Sequence, residues 1–151
     1  MYERILVPVD GSPTSGAGLA EAVKLAKLTG ARVQLLHVVD DMPFVMGTDG
    51  FGTMSADIRG VMKEAGQAVL NKARALVEKS GVPVETVLFD TLDGRLSERV
   101  ARQALDWNAN LIVLGTHGRR GVERMVLGSG AEQIVRSSPV PVLLVRGPAA
   151  D

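Results

Sequence analysis

Five short apolar runs, each separated from the next by a stretch of helical periodicity, leave this chain little freedom in how it folds. The runs occupy residues 5–9, 33–39, 84–89, 111–114 and 140–145 and are rich in Val, Ile and Leu. Runs this short suit strands rather than helices, and β-branched side chains favour extended backbone. The first and fourth are almost wholly apolar, as strands covered on both faces are. The third alternates more and belongs nearer an edge.

The intervening segments carry the 3.6-residue period. From Ser12 to Leu28, the residues Leu19, Ala22, Val23 and Ala26 recur at helical spacing before Gly30 closes the segment. From Ala56 to Lys79 the stripe is Ile58, Val61, Met62, Ala65, Val69, Ala73, Leu76 and Val77, and Ser80-Gly81 ends it. A third helix runs from Leu96 to Trp107 with Val100, Ala101, Ala104 and Leu105, and a fourth starts near Ser129 with Ala131, Ile134 and Val135. Trp107 and the methionines read as core. Strict alternation of strand and helix implies a doubly wound α/β fold: a mostly parallel five-stranded sheet with helices on both faces.

At 151 residues the chain is expected to form a single domain over 1–151. Residues 41–54, with Pro43, Gly47, Gly50 and Gly52, break the pattern and read as a long loop, either an insertion or a lid. The 17 basic residues balance 17 acidic ones, which argues against bulk attraction to nucleic acid or an acidic membrane. There is no cysteine, so disulfides, thiolate metal sites and cysteine nucleophiles are excluded. No apolar run approaches the ~20 residues of a membrane span, and the start Met1-Tyr2-Glu3-Arg4 lacks a signal peptide's pattern. The expected location is cytoplasmic.

In an open α/β sheet, ligands bind outside the carboxyl ends of the strands where the strand order reverses. The residues there are Pro8-Val9-Asp10-Gly11-Ser12 after the first strand, Asp40-Asp41 after the second, Asp90-Thr91 after the third, and Gly115 to Gly121 after the fourth. The last is the richest. Gly115, Gly118 and Gly121 remove side chains where backbone turns tightly or approaches a ligand. Gly128-Ser129-Gly130 then opens a helix, capped by Ser129 or a neighbour, whose N–H groups and dipole favour an anion. Arg119, Arg120, Arg124 and Arg136 stand against Glu123 and Glu132 in this region. A polyphosphate suits it, and so does a bare strand-to-helix connection. With no Gly-Lys-Ser/Thr triplet it is not a P-loop, and its glycines do not form the dinucleotide turn after the first strand. Asp10 has two readings: a carboxylate for ribose hydroxyls or an adenine amino group, and a helix N-cap.

Gly115-x2-Gly118-x9-Gly128-Ser129 fits the Gly-x2-Gly-x9-Gly-Ser/Thr pattern of nucleotide-binding universal stress proteins. The start Pro8-Val9-Asp10-Gly11-Ser12, the segment Leu36-His37-Val38-Val39-Asp40 and the finish Pro139 to Val145 resemble that family too, in order along nearly the whole chain. The resemblance implies strand order 3-2-1-4-5, an adenine nucleotide alpha hydrolase-like fold, with ATP (or ADP or AMP) as ligand and Mg2+ held mainly by the phosphates. It places adenine against Val9 and Val38, with Asp10 near base and ribose and with Pro8 and Leu114 also among the nucleotide-binding residues. The phosphates fall on Gly115, His117, Gly118 and Arg119, and on Gly128, Ser129, Gly130 and Ala131. At the last two positions many members carry a hydroxyl or a valine, so one phosphate donor is missing here. The resemblance further implies a homodimer through strand five (Val140, Val142, Leu143, Leu144, Val145) and a role as stress-response regulator or sensor, with slow hydrolysis at most. The alternative is a dimeric interaction domain with a vestigial pocket.

His117 has two readings, phosphate contact or solvent, whereas His37, inside a strand, reads as a partly buried structural histidine. No nucleophile, base and orienting acid present themselves together. A phospho-acceptor receiver domain is the remaining rival, with Asp90 as acceptor. It lacks the paired acid beside Asp10, and Arg146 stands where its lysine belongs.

Overall fold

A computed structural model of the protein describes residues 1–39, 56–90, 95–116 and 128–147. Five strands and four helices alternate: β1 Arg4–Pro8, α1 Pro13–Thr29, β2 Arg32–Val38, α2 Ala56–Lys79, β3 Val84–Phe89, α3 Leu96–Asp106, β4 Leu111–Thr116, α4 Ser129–Ser137 and β5 Val142–Arg146. All pairings are parallel, and the order is β3-β2-β1-β4-β5, as the family resemblance implies. The expected loop at 41–54 lies outside the described residues.

Local chemistry sets the helix ends. Ser12 caps α1 by accepting from the Ser15 N–H at 3.1 Å, Pro13 supplies a pre-set φ at the first turn, and Gly30 takes the left-handed φ of 75° that closes it. In α3 the Glu98 carboxylate accepts from the Arg95 N–H at 3.3 Å.

The sheet buries both faces. Ile5, Val7, Val33, Leu35 and Val113 pack under α1 and α2, while Leu6, Leu36, Ile112 and Leu114 pack under α3 and α4. This two-sided burial explains why the first and fourth runs carry almost no polar residue. β3 and β5 are the edges. β5 starts two residues later than its apolar run. Pro141 has no N–H to give, and the Val140 N–H is taken by Ser138 Oγ at 3.2 Å.

The apolar stripe of α2 sits differently from the expected one. Gly66, Leu70, Ala73 and Val77 face the sheet, whereas Val61 and Leu76 are 65% and 58% exposed. The expected core also loses Met1, which is exposed, while Trp107 is half-buried with its indole N–H on Glu85.

Strand order removes the receiver alternative. Asp90 follows an edge strand, with β2 standing between it and the end of β1, and its carboxylate pairs with Arg59 at 3.7 Å and Lys63 at 3.8 Å. The acids after strands one and three therefore do not share a site.

Candidate functional site

The strand order reverses between β1 and β4, so the helices that leave their carboxyl ends depart on opposite faces and open a crevice. Its first wall is the turn from β1 into α1. Val9 N–H donates to the Leu36 carbonyl at 2.8 Å, and the Val9 carbonyl accepts from His37 Nδ1 at 2.8 Å. Asp10 is exposed and tied at both ends of its residue. Its N–H donates to Ser15 Oγ at 3.2 Å, and its carboxylate accepts from the Ser12 N–H at 2.8 Å. The helix cap is thus Ser12, and one carboxylate oxygen of Asp10 steadies the turn that leads into it.

The second wall is the end of β4. Gly115 lies inside that strand, and a Cβ there would overlap the Thr14 carbonyl oxygen at the start of α1. A Cβ on Gly18 would in turn lie 2.8 Å from the Gly115 N atom. The absent side chain at 115 lets α1 press onto β4 and needs no ligand to explain it. Thr116, fully buried, donates from Oγ1 to the Val145 carbonyl at 3.3 Å and pins β4 to β5.

The third wall is the start of α4. Gly128, the neighbour of Ser129, is its N-cap, with no side-chain capping bond. The first helical bond runs from the Glu132 N–H to the Gly128 carbonyl at 2.9 Å. The N–H groups of Ser129, Gly130 and Ala131 precede it and are the orphan donors of the first turn. Donors of this kind, with the positive end of the helix dipole behind them, suit an anion.

These walls enclose a cavity of about 260 Å³. It brings together eight of the expected site residues: Pro8, Val9, Asp10, Val38, Leu114, Gly115, Gly130 and Ala131. Gly128 and Ser129 stand at the α4 start but not on the cavity lining. His117, Gly118 and Arg119 lie outside the described residues. Ser12, Thr14 and Ser15 from α1, together with Leu36, His37, Leu96 and Ile134, also line the cavity and were not expected there. The signal for the α1 residues was available, because the helix that follows β1 must begin at the same rim of the sheet. A larger groove, about 470 Å³, runs between α1 and α2 past Leu19, Val69, Ala73 and Leu76, with Lys72 as the charged residue on its lining. The start of α1 also borders this groove, but its first turn is already capped by the Ser12 hydroxyl, unlike the start of α4.

The sequence model of the universal stress protein family matches residues 1–146. A universal stress protein of Methanocaldococcus jannaschii is 36% identical over 148 residues, covering 98% of this chain and 84% of its own. A solved protein of the same family from Burkholderia pseudomallei superposes with a TM-score of 0.75 at 32% identity, covering 95% of this chain and 96% of its own. Two more distant solved members share the fold. One, in complex with cAMP, has a TM-score of 0.66 at 20% identity over 96% of this chain and 97% of its own. The other, from Archaeoglobus fulgidus in complex with dAMP, has a TM-score of 0.65 at 21% identity over 95% of this chain and 98% of its own. Among the described residues no helix is long and apolar enough to cross a membrane.

Proposed function

This chain belongs to the universal stress protein family, and from that membership we propose that its crevice between β1 and β4 binds an adenine nucleotide, ATP foremost, to serve a stress-response regulator or sensor in the cytoplasm. The observation that carries this reading is the uncapped start of α4 facing a small apolar cavity. Pro8, Val9, Val38 and Leu114 give the flat faces of a base an apolar seat, and Asp10 has a second carboxylate oxygen for the ribose or the amino group. The triphosphate runs to the amides of Ser129, Gly130 and Ala131, with Mg2+ held mainly by the phosphates. Ligand pockets commonly measure roughly 300–1,000 Å³, so a cavity of about 260 Å³ suits base and ribose with the phosphates outside it. His117, Gly118 and Arg119 enter on the family's glycine pattern alone. The adenine nucleotides held by the two solved relatives support the same ligand class.

The lining supplies mainly backbone and small side chains, which bind a nucleotide while adding little stabilisation to a phosphoryl-transfer transition state. Hydrolysis is therefore slow at most. Calorimetric titration of the intact chain with ATP, ADP and AMP in Mg2+ tests the reading. One site per chain is expected, with a Kd for ATP well below about 1 mM. No heat at millimolar nucleotide overturns it and leaves an interaction domain with a vestigial pocket.

The proposal includes a homodimer. β5 is an edge strand, and Leu143 and Leu144 are 37% and 36% exposed on it. An apolar edge of this kind invites pairing with its own copy. Light scattering at micromolar concentration is expected to give the mass of two chains, and a monomer contradicts the pairing.

A further inference from the structure

In a parallel pair, every second residue of a strand turns both its N–H and its carbonyl toward the same neighbour. Where β1 leaves β2, that rule has the Val9 N–H on the Leu36 carbonyl at 2.8 Å. The next rung brings the Val38 N–H onto the Val9 carbonyl. That rung is not formed, and β1 ends at Pro8. The Val9 carbonyl accepts instead from His37 Nδ1 at 2.8 Å. A carbonyl only accepts, so Nδ1 carries the proton. The Val39 N–H donates to the Phe89 carbonyl on the other side at 2.9 Å, which fixes the alternation and leaves the Val38 N–H turned toward β1. Val38 lines the crevice there.

Helix α2 is cut away to admit the imidazole. A Cβ on Gly66 would lie 2.6 Å from His37 Cδ2 and 3.0 Å from Nε2. Ring, carbonyl and helix notch form one fitted arrangement.

We propose that His37 is a positioning residue for base recognition: by occupying the Val9 carbonyl it stops the β1–β2 ladder one rung early and leaves the Val38 N–H free to donate to the base. The inference rests on the nucleotide reading of the crevice. A lone N–H selects a base edge that accepts. The N1 atom of adenine accepts, whereas that of guanine carries a proton and leaves the buried donor unpaired.

Titrations of ATP and GTP into the full chain test this on three variants. His37→Leu removes the donor and lets the ladder close. His37→Asn places an amide N–H near the position of Nδ1. Gly66→Ala keeps the imidazole and crowds it. The parent is expected to prefer ATP. His37→Leu is expected to weaken ATP by about tenfold with GTP unchanged. Gly66→Ala moves in the same direction, and His37→Asn recovers the parental ATP:GTP ratio. A parent that prefers ATP and a His37→Leu variant with the same ratio overturn the role of His37 and leave the nucleotide reading intact. Equal losses in His37→Leu and His37→Asn also overturn it. A parent that binds no ATP overturns both.

Discussion

Replacing Gly115 with alanine is expected to cost about 3 kcal/mol of stability or more, at the upper end of the usual cost of overpacking. In a domain of this size that lowers the melting temperature by roughly 6–12 °C. The reason is the nature of the obstacle. The new Cβ would overlap the carbonyl oxygen of Thr14, and the Ser15 N atom lies 3.0 Å away. These are backbone atoms in the first turn of α1, so no side-chain rotation relieves the overlap. The helix must lift from β4, and α1 contributes Leu19, Ala22 and Ala26 to the core beneath it. Gly16→Ala, two residues beyond Thr14 in the same helix, provides the control. Its Cβ would meet nothing within 4 Å, and alanine in a helix is favoured over glycine by about 0.5–1 kcal/mol. Thermal unfolding is thus expected to fall for one substitution and to rise for the other. A Gly115→Ala protein that melts with the parent contradicts the close packing of α1 on β4.

Gly130→Glu is expected to separate binding from folding. Gly130 lies in the first turn of α4 and lines the crevice. An added Cβ would have Leu96 Cδ2 as its nearest neighbour, at an ordinary 3.5 Å. A carboxylate in the first turn also interacts favourably with the helix dipole, by about 0.3–1 kcal/mol. The melting temperature therefore stays level or rises. Nucleotide affinity falls, because the carboxylate occupies the phosphate position and repels its charge. Repulsion between unit charges ~4 Å apart amounts to about 1–4 kcal/mol between bulk water and a protein surface. With the lost space added, a drop of about 100-fold or more is expected in the ATP titration. An unchanged affinity in this variant places the phosphates somewhere other than the start of α4.

Much of the architecture was legible because it is written in local periodicity. The bounds of β3 and α2 fall where the pattern put them, and the alternating third run does lie at an edge. The rotation of α2 about its axis was less legible. A 3.6-residue period tolerates a shift of one residue, so Val61 and Leu76 matched the stripe while Leu70 took the buried place. The ends of the strands pointed to a ligand crevice, but the reversal of strand order between β1 and β4, and Val38 and Leu114 beside it, came from the family resemblance. What local pattern does not carry is proximity between residues far apart in the chain. Gly115 looked like a phosphate-loop glycine, and only the approach of Thr14 supplies its packing reason. His37 was legible as a partly buried strand histidine, but its grip on the Val9 carbonyl depends on the pairing of β1 with β2 and on the notch at Gly66.

The central claim concerns where a nucleotide sits, and a crystal structure of the protein grown with excess ATP and Mg2+ measures that directly. The expected result is a base seated against Val9 and Val38, a ribose beside Asp10, and phosphates on the amides of Ser129, Gly130 and Ala131. A crevice closed by the protein's own side chains, with the nucleotide bound elsewhere, contradicts it.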